Sequence, residues 1–294
     1  MSRILILSIT ITCIILSLGL NTGICAENIK LSLEQRSPGS NETIVTNKYI
    51  DSEKTAIIVI DMWNGHRCIS AEKRVIEMAP VMNNVLKIAR QKGMLVINAP
   101  SGCMDFYKDT PQRRLAQDAP FVKAPVEFKW NYFNPDREGH LDSTFEKAGC
   151  SCDTPEPCPR RTKSRAFYKQ NEAIEIAEED AVSDKGQEIY NLLHQRGIED
   201  VIIMGVHTNV CILGRPFGIR QMVYLGKNVI LCRDLTDSYQ RNPGKHFEGL
   251  AKIIEHIEKY WCPTITSDQL TGEKPFRFMN DNTLGITEKR NKKN

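Results

Sequence analysis

Four short runs rich in isoleucine, valine and leucine most constrain how this chain can fold. They lie at 54–61, 94–99, 201–205 and 227–234, and segments with helical spacing separate most of them. Runs of this length indicate strands buried on both faces, as in a parallel sheet. The alternation of strands and helices predicts a doubly wound α/β layer sandwich.

The segments between these runs have the apolar spacing of amphipathic helices. Residues 70–93 place their apolar side chains on one stripe, and Pro80 is expected to kink that helix. A further short strand is expected at 173–177. Three more helices are predicted, at 183–197, 217–226 and 246–261.

The two ends of the chain differ from this central part. The first 26 residues combine an arginine, an apolar run and a small-residue end, which is typical of a secretory signal peptide. An uncleaved membrane anchor is the alternative. We expect an extension at 27–50 that packs loosely, one globular domain at 51–265 and a polar, basic tail at 266–294. The protein is therefore expected to be exported, to the periplasm or outside the cell.

The charge pattern limits the partners. The net charge is +3 over 294 residues, and much of the excess lies near the end of the chain. Basic residues are not interleaved with aromatic ones in a stripe, which argues against nucleic-acid binding. We expect a small-molecule substrate, contact with a membrane only if the signal segment is retained, and we leave a homo-oligomer open.

Residues 104–172 are interpreted as an insertion, because they are rich in proline and show little periodicity. They contain a C-x-C-x5-C run formed by Cys150, Cys152 and Cys158. This is not a usual zinc spacing. In an oxidising compartment we expect a disulfide from Cys158 to Cys150 or Cys152, with the remaining cysteine bonded to a distant one.

Two chemically active side chains follow predicted strands. Asp61 ends the first strand, and Cys211 lies just beyond a later one. The carboxyl ends of parallel strands share one edge of the sheet, where function gathers. A helix that begins near Cys211 would favour the thiolate and supply N–H groups for an oxyanion. Asp61 could take the thiol proton; the alternative is a buried structural cysteine.

Side chains near these two residues are candidates to bind the substrate. Arg215 would suit a substrate carboxylate, although a surface salt bridge is the alternative. For Trp63 the alternative is packing under its loop. The full set of candidates is Trp63, His66, Tyr107, His207, Asn209 and Arg215.

The segments "AIIVIDMWNGH" and "DVIIMGVHTNVCILGRPFGIRQM" resemble the two signature segments of the isochorismatase-like cysteine hydrolases. This superfamily includes nicotinamidases, N-carbamoylsarcosine amidases and isochorismatases, and the resemblance covers roughly 54–262. It implies a three-layer α/β/α sandwich with a mostly parallel six-stranded sheet. It also implies that Asp61 and Cys211 belong to the family's aspartate, lysine and cysteine set, with a non-proline cis peptide near Val206–His207.

The family's lysine has no counterpart in register. Its position falls at about Glu178. Either Glu178 replaces the lysine, which makes a carboxylate pair with Asp61 in which one pKa is raised, or Lys169 reaches in from the insertion.

The resemblance also bears on metal binding. The zinc site of the nicotinamidases has an aspartate and a histidine two residues apart after the second strand, where this chain has Ser101 and Cys103. We therefore predict no cofactor and no metal, with His66, His207 and Cys103 as weak candidates for some other metal site.

These patterns predict an exported hydrolase of a small molecule. The expected reaction is cleavage of a C–N bond in an amide or ureido compound, with Cys211 as nucleophile and Asp61 as base. One alternative is hydrolysis of the isochorismatase type, catalysed by the aspartic acid without a covalent step. Another is a binding or redox protein that kept the fold and lost the chemistry.

Overall fold

A computed structural model describes residues 27–37, 42–139, 149–152, 158, 166–242 and 244–283. The predicted signal peptide and the end of the predicted tail lie outside the described residues.

The apolar runs form the centre of one mixed sheet. Its eight described strands are β1 (Asn28–Arg36), β2 (Thr43–Asp51), β3 (Thr55–Ile60), β4 (Leu95–Ala99), β5 (Ala181–Val182), β6 (Asp200–Val206), β7 (Asn228–Asp237) and β8 (Thr264–Ile265). Their order across the sheet is β2-β1-β8-β7-β6-β3-β4-β5. The strands from β8 to β5 pair in parallel, and every residue of β3 and β6 is buried, as expected of a sheet covered on both faces.

Helices connect these strands and cover the sheet. The described helices are α1 (Ile69–Gln91), α2 (Met104–Tyr107), α3 (Pro111–Gln117), α4 (Pro135–Glu138), α5 (Gly186–Gln195), α6 (Ile219–Tyr224), α7 (His246–Tyr260) and α8 (Asp268–Thr271). The α/β class is confirmed, with eight strands rather than six. No helix in the described part of the chain is both long and apolar enough to cross a membrane.

The two additional strands come from residues 27–50, for which loose packing was predicted. That prediction is wrong: β1 and β2 form an antiparallel hairpin, and β1 pairs with β8. Leu31 and Ile50 are fully buried. Apolar and polar residues alternate at 29–33, which is the period of a half-buried strand.

The predicted tail also packs against the domain as far as the structure describes it. Asp234 accepts hydrogen bonds from the N–H groups of Ser267 (2.9 Å) and Phe276 (2.9 Å). Phe278 is buried in the hydrophobic core. The predicted boundary at 266 is therefore too early.

The short strand predicted at 173–177 is also wrong. The strand that extends the sheet, β5, begins four residues later, at Ala181. Arg90 donates to the carbonyl of Glu175 (2.8 Å) and to Asp180 (2.8 and 2.7 Å), and these contacts hold the segment as a loop over α1.

Candidate active site

Three neighbouring strands end at one rim of the sheet and bring the site together. β6, β3 and β4 are adjacent, and they are followed by Cys211, Asp61 and Ser101 respectively. Asp61 has a φ of +55°, a left-handed conformation that is uncommon outside glycine and that aspartate tolerates better than most residues. Its N–H group donates to the carbonyl of Ala99 (3.1 Å), which continues the β3–β4 pairing.

Gly205 lets β6 approach β3 closely just before the site. Its φ is +117°, and a Cβ atom there would lie 2.1 Å from the carbonyl oxygen of Ile60. Only glycine fits this contact. Because Ile60 directly precedes Asp61, the close approach fixes how the two strand ends meet.

Asp61, Cys211 and Arg215 form a buried hydrogen-bonded cluster. Arg215 donates to Asp61 Oδ2 through Nε (3.1 Å) and Nη2 (3.0 Å), and the Ser101 N–H donates to Asp61 Oδ1 (2.7 Å). The Cys211 thiol lies beside the Asp61 carboxyl and the Arg215 guanidinium, and the charges of both act on its pKa. Asp61 has no exposed surface and Cys211 is 5% exposed. The structure thus brings the two predicted residues together, with a cation on both.

Burial dominates the protonation of this cluster. It raises the pKa of Asp61, although Arg215 and several hydrogen bonds oppose the change. It also raises the pKa of Cys211 well above that of an ordinary thiol, and the neighbouring Asp61 carboxylate adds to the effect. The expectation that the chain turn at Cys211 favours a thiolate is therefore wrong: the sulfur is buried beside a carboxylate, within a single π-helical turn.

Arg215 occupies the role that was sought for a lysine. It lies four residues after Cys211, and its N–H donates to the carbonyl of Cys211 (3.0 Å), so one helical turn places both side chains on the same side. This spacing is visible in the sequence, but we had interpreted Arg215 as a substrate ligand. Its guanidinium is instead paired with the Asp61 carboxyl.

Neither predicted substitute for the lysine joins the cluster among the described residues. Glu178 is exposed in the turn before β5, whereas Asp61 is fully buried, so the expected carboxylate pair is not formed. Lys169 pairs with Glu172 (3.0 Å) and lies over the ring of Phe106 (5.6 Å). The raised pKa of Asp61 comes from burial rather than from a second carboxylate.

The chain enters the cysteine turn through a cis peptide bond between Val206 and His207, as expected. The N–H group of His207 donates to the Cys211 sulfur.

Residues 55–269 match the family model described as the isochorismatase domain. The chain belongs to the isochorismatase family. It is a hydrolase on that family's fold, and the resemblance seen in its two signature segments is confirmed.

Solved structures similar to this isochorismatase-family chain have low sequence identity. A cysteine hydrolase from Pseudomonas syringae is 16% identical, with 81% of this chain and 95% of that chain covered and a TM-score of 0.48. A putative isochorismatase hydrolase from Oleispira antarctica is 15% identical (75% and 97% covered, TM-score 0.44). N-carbamoylsarcosine amidase from Thermoplasma acidophilum is 12% identical (73% and 97% covered, TM-score 0.39). The comparison with curated proteins gave no match.

A cavity of about 550 Å³ opens beside the cluster. Arg215 and Ser101, two direct neighbours of Asp61, form part of its lining, so Asp61 and Cys211 lie behind them. Arg215 lies over the ring of Trp130 (5.0 Å). The charged and aromatic side chains that line the cavity are Arg67, Lys185, Arg215, Asp184, Trp130 and Phe167.

Most of the side chains predicted to bind substrate support this cavity rather than line it. Trp63 stacks on Phe167 (4.3 Å between ring centroids) and donates to the Ser101 carbonyl (3.0 Å). The hydroxyl of Tyr107 accepts from the N–H of Gln170 (2.9 Å). These contacts place Trp63 beneath the loop, which was the alternative interpretation.

The two histidines and the asparagine form a second supporting group. His66 and His207 are buried with their Nε2 atoms 3.0 Å apart, and burial lowers the pKa of both. Asn209 donates to the carbonyl of Tyr239 (3.1 Å) and accepts from its N–H (2.9 Å). This pairing ties the cysteine turn to the end of β7.

Sequence reasoning missed most of the cavity lining. Trp130 and Phe167 lie in the predicted insertion, and Asp184 and Lys185 lie just before α5. Trp130 and Phe167 stand in no periodic element or motif. Asp184 and Lys185 open the predicted helix at 183–197 and follow β5, and that position after a strand end is the sequence signal that could have found them.

The predicted disulfide of the insertion is not shown. All eight described cysteines are free thiols, and the Sγ atoms of Cys150 and Cys152 lie 3.2 Å apart. Cys68, which follows the Asp61 loop, joins them.

Proposed function

We propose that this chain hydrolyses a C–N bond in a small amide or ureido compound, with Cys211 as the nucleophile and Asp61 as the base. The observation that carries the proposal is the burial of the Cys211 thiol beside the Asp61 carboxyl, with Arg215 paired to that carboxyl. A thiol, an adjacent base and a cation that fixes the base are the components of nucleophilic catalysis.

In the first step the thiol proton moves to Asp61 as Sγ attacks the carbonyl carbon. The raised pKa of Asp61 makes its carboxylate a better proton acceptor than an exposed aspartate. Before the transfer the cluster holds a neutral thiol and a charged carboxylate, and after it a charged sulfur and a neutral carboxylic acid. Arg215 keeps its charge throughout, so the net charge of the cluster does not change. Arg215 therefore stabilises the negative charge on either side of the transfer.

In the second step the tetrahedral intermediate collapses and the C–N bond breaks. Asp61 returns its proton to the leaving nitrogen, and a thioester remains on Cys211. Water, deprotonated by Asp61, then attacks the thioester carbon, the C–S bond breaks, the acid is released, and Asp61 returns the proton to the Cys211 sulfur. The His207 N–H, which points at the sulfur, is a candidate donor to the oxyanion formed in both steps.

The cavity favours a small substrate that carries negative charge. Its volume of about 550 Å³ is in the range of small-molecule sites. Three cationic side chains, Arg67, Lys185 and Arg215, face one carboxylate, Asp184. Arg215 is paired with Asp61 and Lys185 with Asp184 (3.3 Å), so Arg67 is the candidate to bind an anionic group of the substrate.

We place this reaction outside the cytoplasm, because residues 1–26 have the pattern of a signal peptide. Recovery of a chain that begins near Ala26 from the culture medium or periplasm would support export. Recovery of the intact chain from the cytosol would contradict it.

A second candidate is acid-catalysed hydrolysis without a covalent step. The raised pKa values of Asp61 and Cys211 favour it, because both groups then hold their protons more strongly. In this reaction Asp61 donates a proton to the substrate, and Cys211 only supports it.

A comparison of three proteins separates the two candidates. The wild type, Cys211→Ala and the matched control Cys232→Ala, a buried cysteine away from the site, are assayed on N-carbamoyl amino acids and primary amides. Nucleophilic catalysis predicts a loss of about 10⁴-fold or more in kcat for Cys211→Ala alone, and a hydroxylamine-sensitive acyl adduct on Cys211 in the wild type. Full activity of Cys211→Ala would exclude the nucleophile role and favour acid catalysis.

A further inference from the structure

Three buried thiols from distant parts of the chain meet beside the active-site loop. The Sγ atoms of Cys68, Cys150 and Cys152 lie 3.5 Å (Cys68–Cys152), 3.5 Å (Cys68–Cys150) and 3.2 Å (Cys150–Cys152) apart. Cys68 and Cys150 are 82 residues apart in the sequence. We propose that these three cysteines, with Cys158, bind a structural zinc ion as thiolates.

The distances fit a shared metal better than a disulfide. A disulfide requires sulfur atoms about 2.05 Å apart. In a tetrahedral zinc site with Zn–S bonds of about 2.3 Å, neighbouring sulfur atoms lie about 3.8 Å apart. The observed separations need to widen by only a few tenths of an ångström to accept zinc. Three mutual contacts also form a triangle, which pairwise bonds between cysteines do not produce.

Cys158 is positioned to supply the fourth ligand. Its Sγ accepts from the N–H of Ile69 (3.3 Å) and contacts the carbonyl of Arg67 (3.6 Å), the two residues that flank Cys68. Its backbone N–H donates to the Cys150 sulfur. N–H groups directed at sulfur favour thiolates over thiols. Three cysteines that meet and a fourth beside Cys68 provide the ligand set of the all-cysteine structural zinc sites, which need no histidine.

The cysteine segment is held on α1 by Arg74. Arg74, which is 5% exposed, donates to the carbonyl (3.0 Å) and hydroxyl (2.9 Å) of Ser151, between two of the cysteines. Arg74 is also paired with Asp237 (2.9 Å). These contacts fix the Cys150–Cys152 segment, as groups outside the ligand shell of a metal site do.

Zinc binding here requires no oxidant. Each thiol that becomes a ligand releases one proton, and the zinc keeps its charge of +2. Thiolates are soft ligands that select zinc over magnesium or calcium. The ion would tie the insertion to the loop after β3, next to Arg67, which lines the cavity.

The test measures metal directly in the protein purified without chelator. Wild-type protein, Cys152→Ala and the control Cys262→Ala, another buried cysteine, are dialysed. Their zinc content is measured by inductively coupled plasma mass spectrometry. We expect about one zinc per chain in the wild type and in Cys262→Ala. Cys152→Ala is expected to bind zinc at least about 10-fold more weakly, since even changes outside the ligand shell cost that much.

Two measurements on the wild type keep the proposal testable if Cys152→Ala fails to fold. Cobalt exchanged into the site should give the thiolate-to-metal charge-transfer band of a tetrahedral thiolate complex. Alkylation in denaturant and chelator, without reductant, should modify all four cysteines. Wild-type protein without zinc, or a disulfide among these cysteines in the unreduced protein, would overturn the proposal.

Discussion

Asp61 and Asp237 are two fully buried aspartates at the same rim of the sheet, and both are paired with an arginine, yet their acidities move in opposite directions. Burial raises the pKa of Asp61, and its single cation, Arg215, does not reverse the change. Burial opposes ionisation of Asp237 too, but Arg74 (2.9 Å), His246 (2.6 Å) and the nearby His207 outweigh it and hold its pKa well below the ordinary value.

The difference teaches what an arginine contact does in each place. Arg74 is buried with Asp237, so that charge pair is permanent and part of the framework. Arg215 is 27% exposed and also lies beside the Cys211 thiol. The same residue types thus form an ion pair at two strand ends, one enclosed and one partly open, and only the open one is proposed to react.

The largest expected effect is on the activity of Asp61→Asn. Asparagine keeps the shape and can still accept from Ser101, but it cannot take the thiol proton. We expect kcat to fall by about 10²–10⁴-fold, the usual contribution of a general base. Steady-state kinetics measures this, with circular dichroism as the control for folding. Unchanged kcat would show that Asp61 resembles Asp237 and only supports the fold.

The matching change at the structural pair is Asp237→Asn. It leaves Arg74 buried without its counter-charge, and we expect a loss of about 3–5 kcal/mol in the free energy of unfolding. Urea denaturation measures it. A stable Asp237→Asn protein would mean that Arg74 finds enough compensation in Ser151, and that the two aspartates differ less than their pKa directions suggest.

A smaller effect is expected for Arg215→Lys. Lysine keeps the charge but cannot make the two parallel contacts that the guanidinium makes to Asp61. We expect Arg215→Lys to lower kcat by about 10-fold. Arg215→Gln should lower kcat further, by about 100-fold, because the positive charge is then lost. If the two variants are equally active, the cation does not stabilise the reacting cluster.

The smallest effect concerns the pH dependence of stability. Because the folded-state pKa of Asp237 is lowered, its stabilisation is present above its unfolded value of about 3.9 and is lost as pH falls below it. Asp61 has the opposite sign: because its folded-state pKa is raised, its contribution is present below the unfolded value of about 3.9 and is lost as pH rises from there through the folded-state pKa. Urea denaturation between about pH 3 and 6 should therefore show a shallower acid loss for Asp237→Asn and a steeper one for Asp61→Asn than for the wild type. Identical slopes would contradict both signs.

The sequence predicted the features that depend on the spacing of apolar residues and on the position of residues after strand ends. The buried strands and the meeting of Asp61 with Cys211 follow from apolar runs and from the geometry of parallel sheets. The hairpin at 28–51 was missed although its alternation was visible, because composition was given more weight than period.

Other features depend on contacts that no local pattern encodes. The resemblance predicts a cation near Glu178. The cation that contacts Asp61 is instead Arg215, which lies one helical turn after Cys211. Cys68 meets Cys150 across 82 residues, and the cavity wall comes from segments without regular structure. Such long-range contacts are set by the packed chain and not by neighbours in the sequence.

A cation on the same helical turn as Cys211 has a consequence for how the cluster is assembled. Only two pieces of chain, the end of β3 and the turn after β6, must come into register for the carboxyl, the thiol and the guanidinium to meet. The segment around Glu178, where a lysine was expected, lies exposed outside that meeting point.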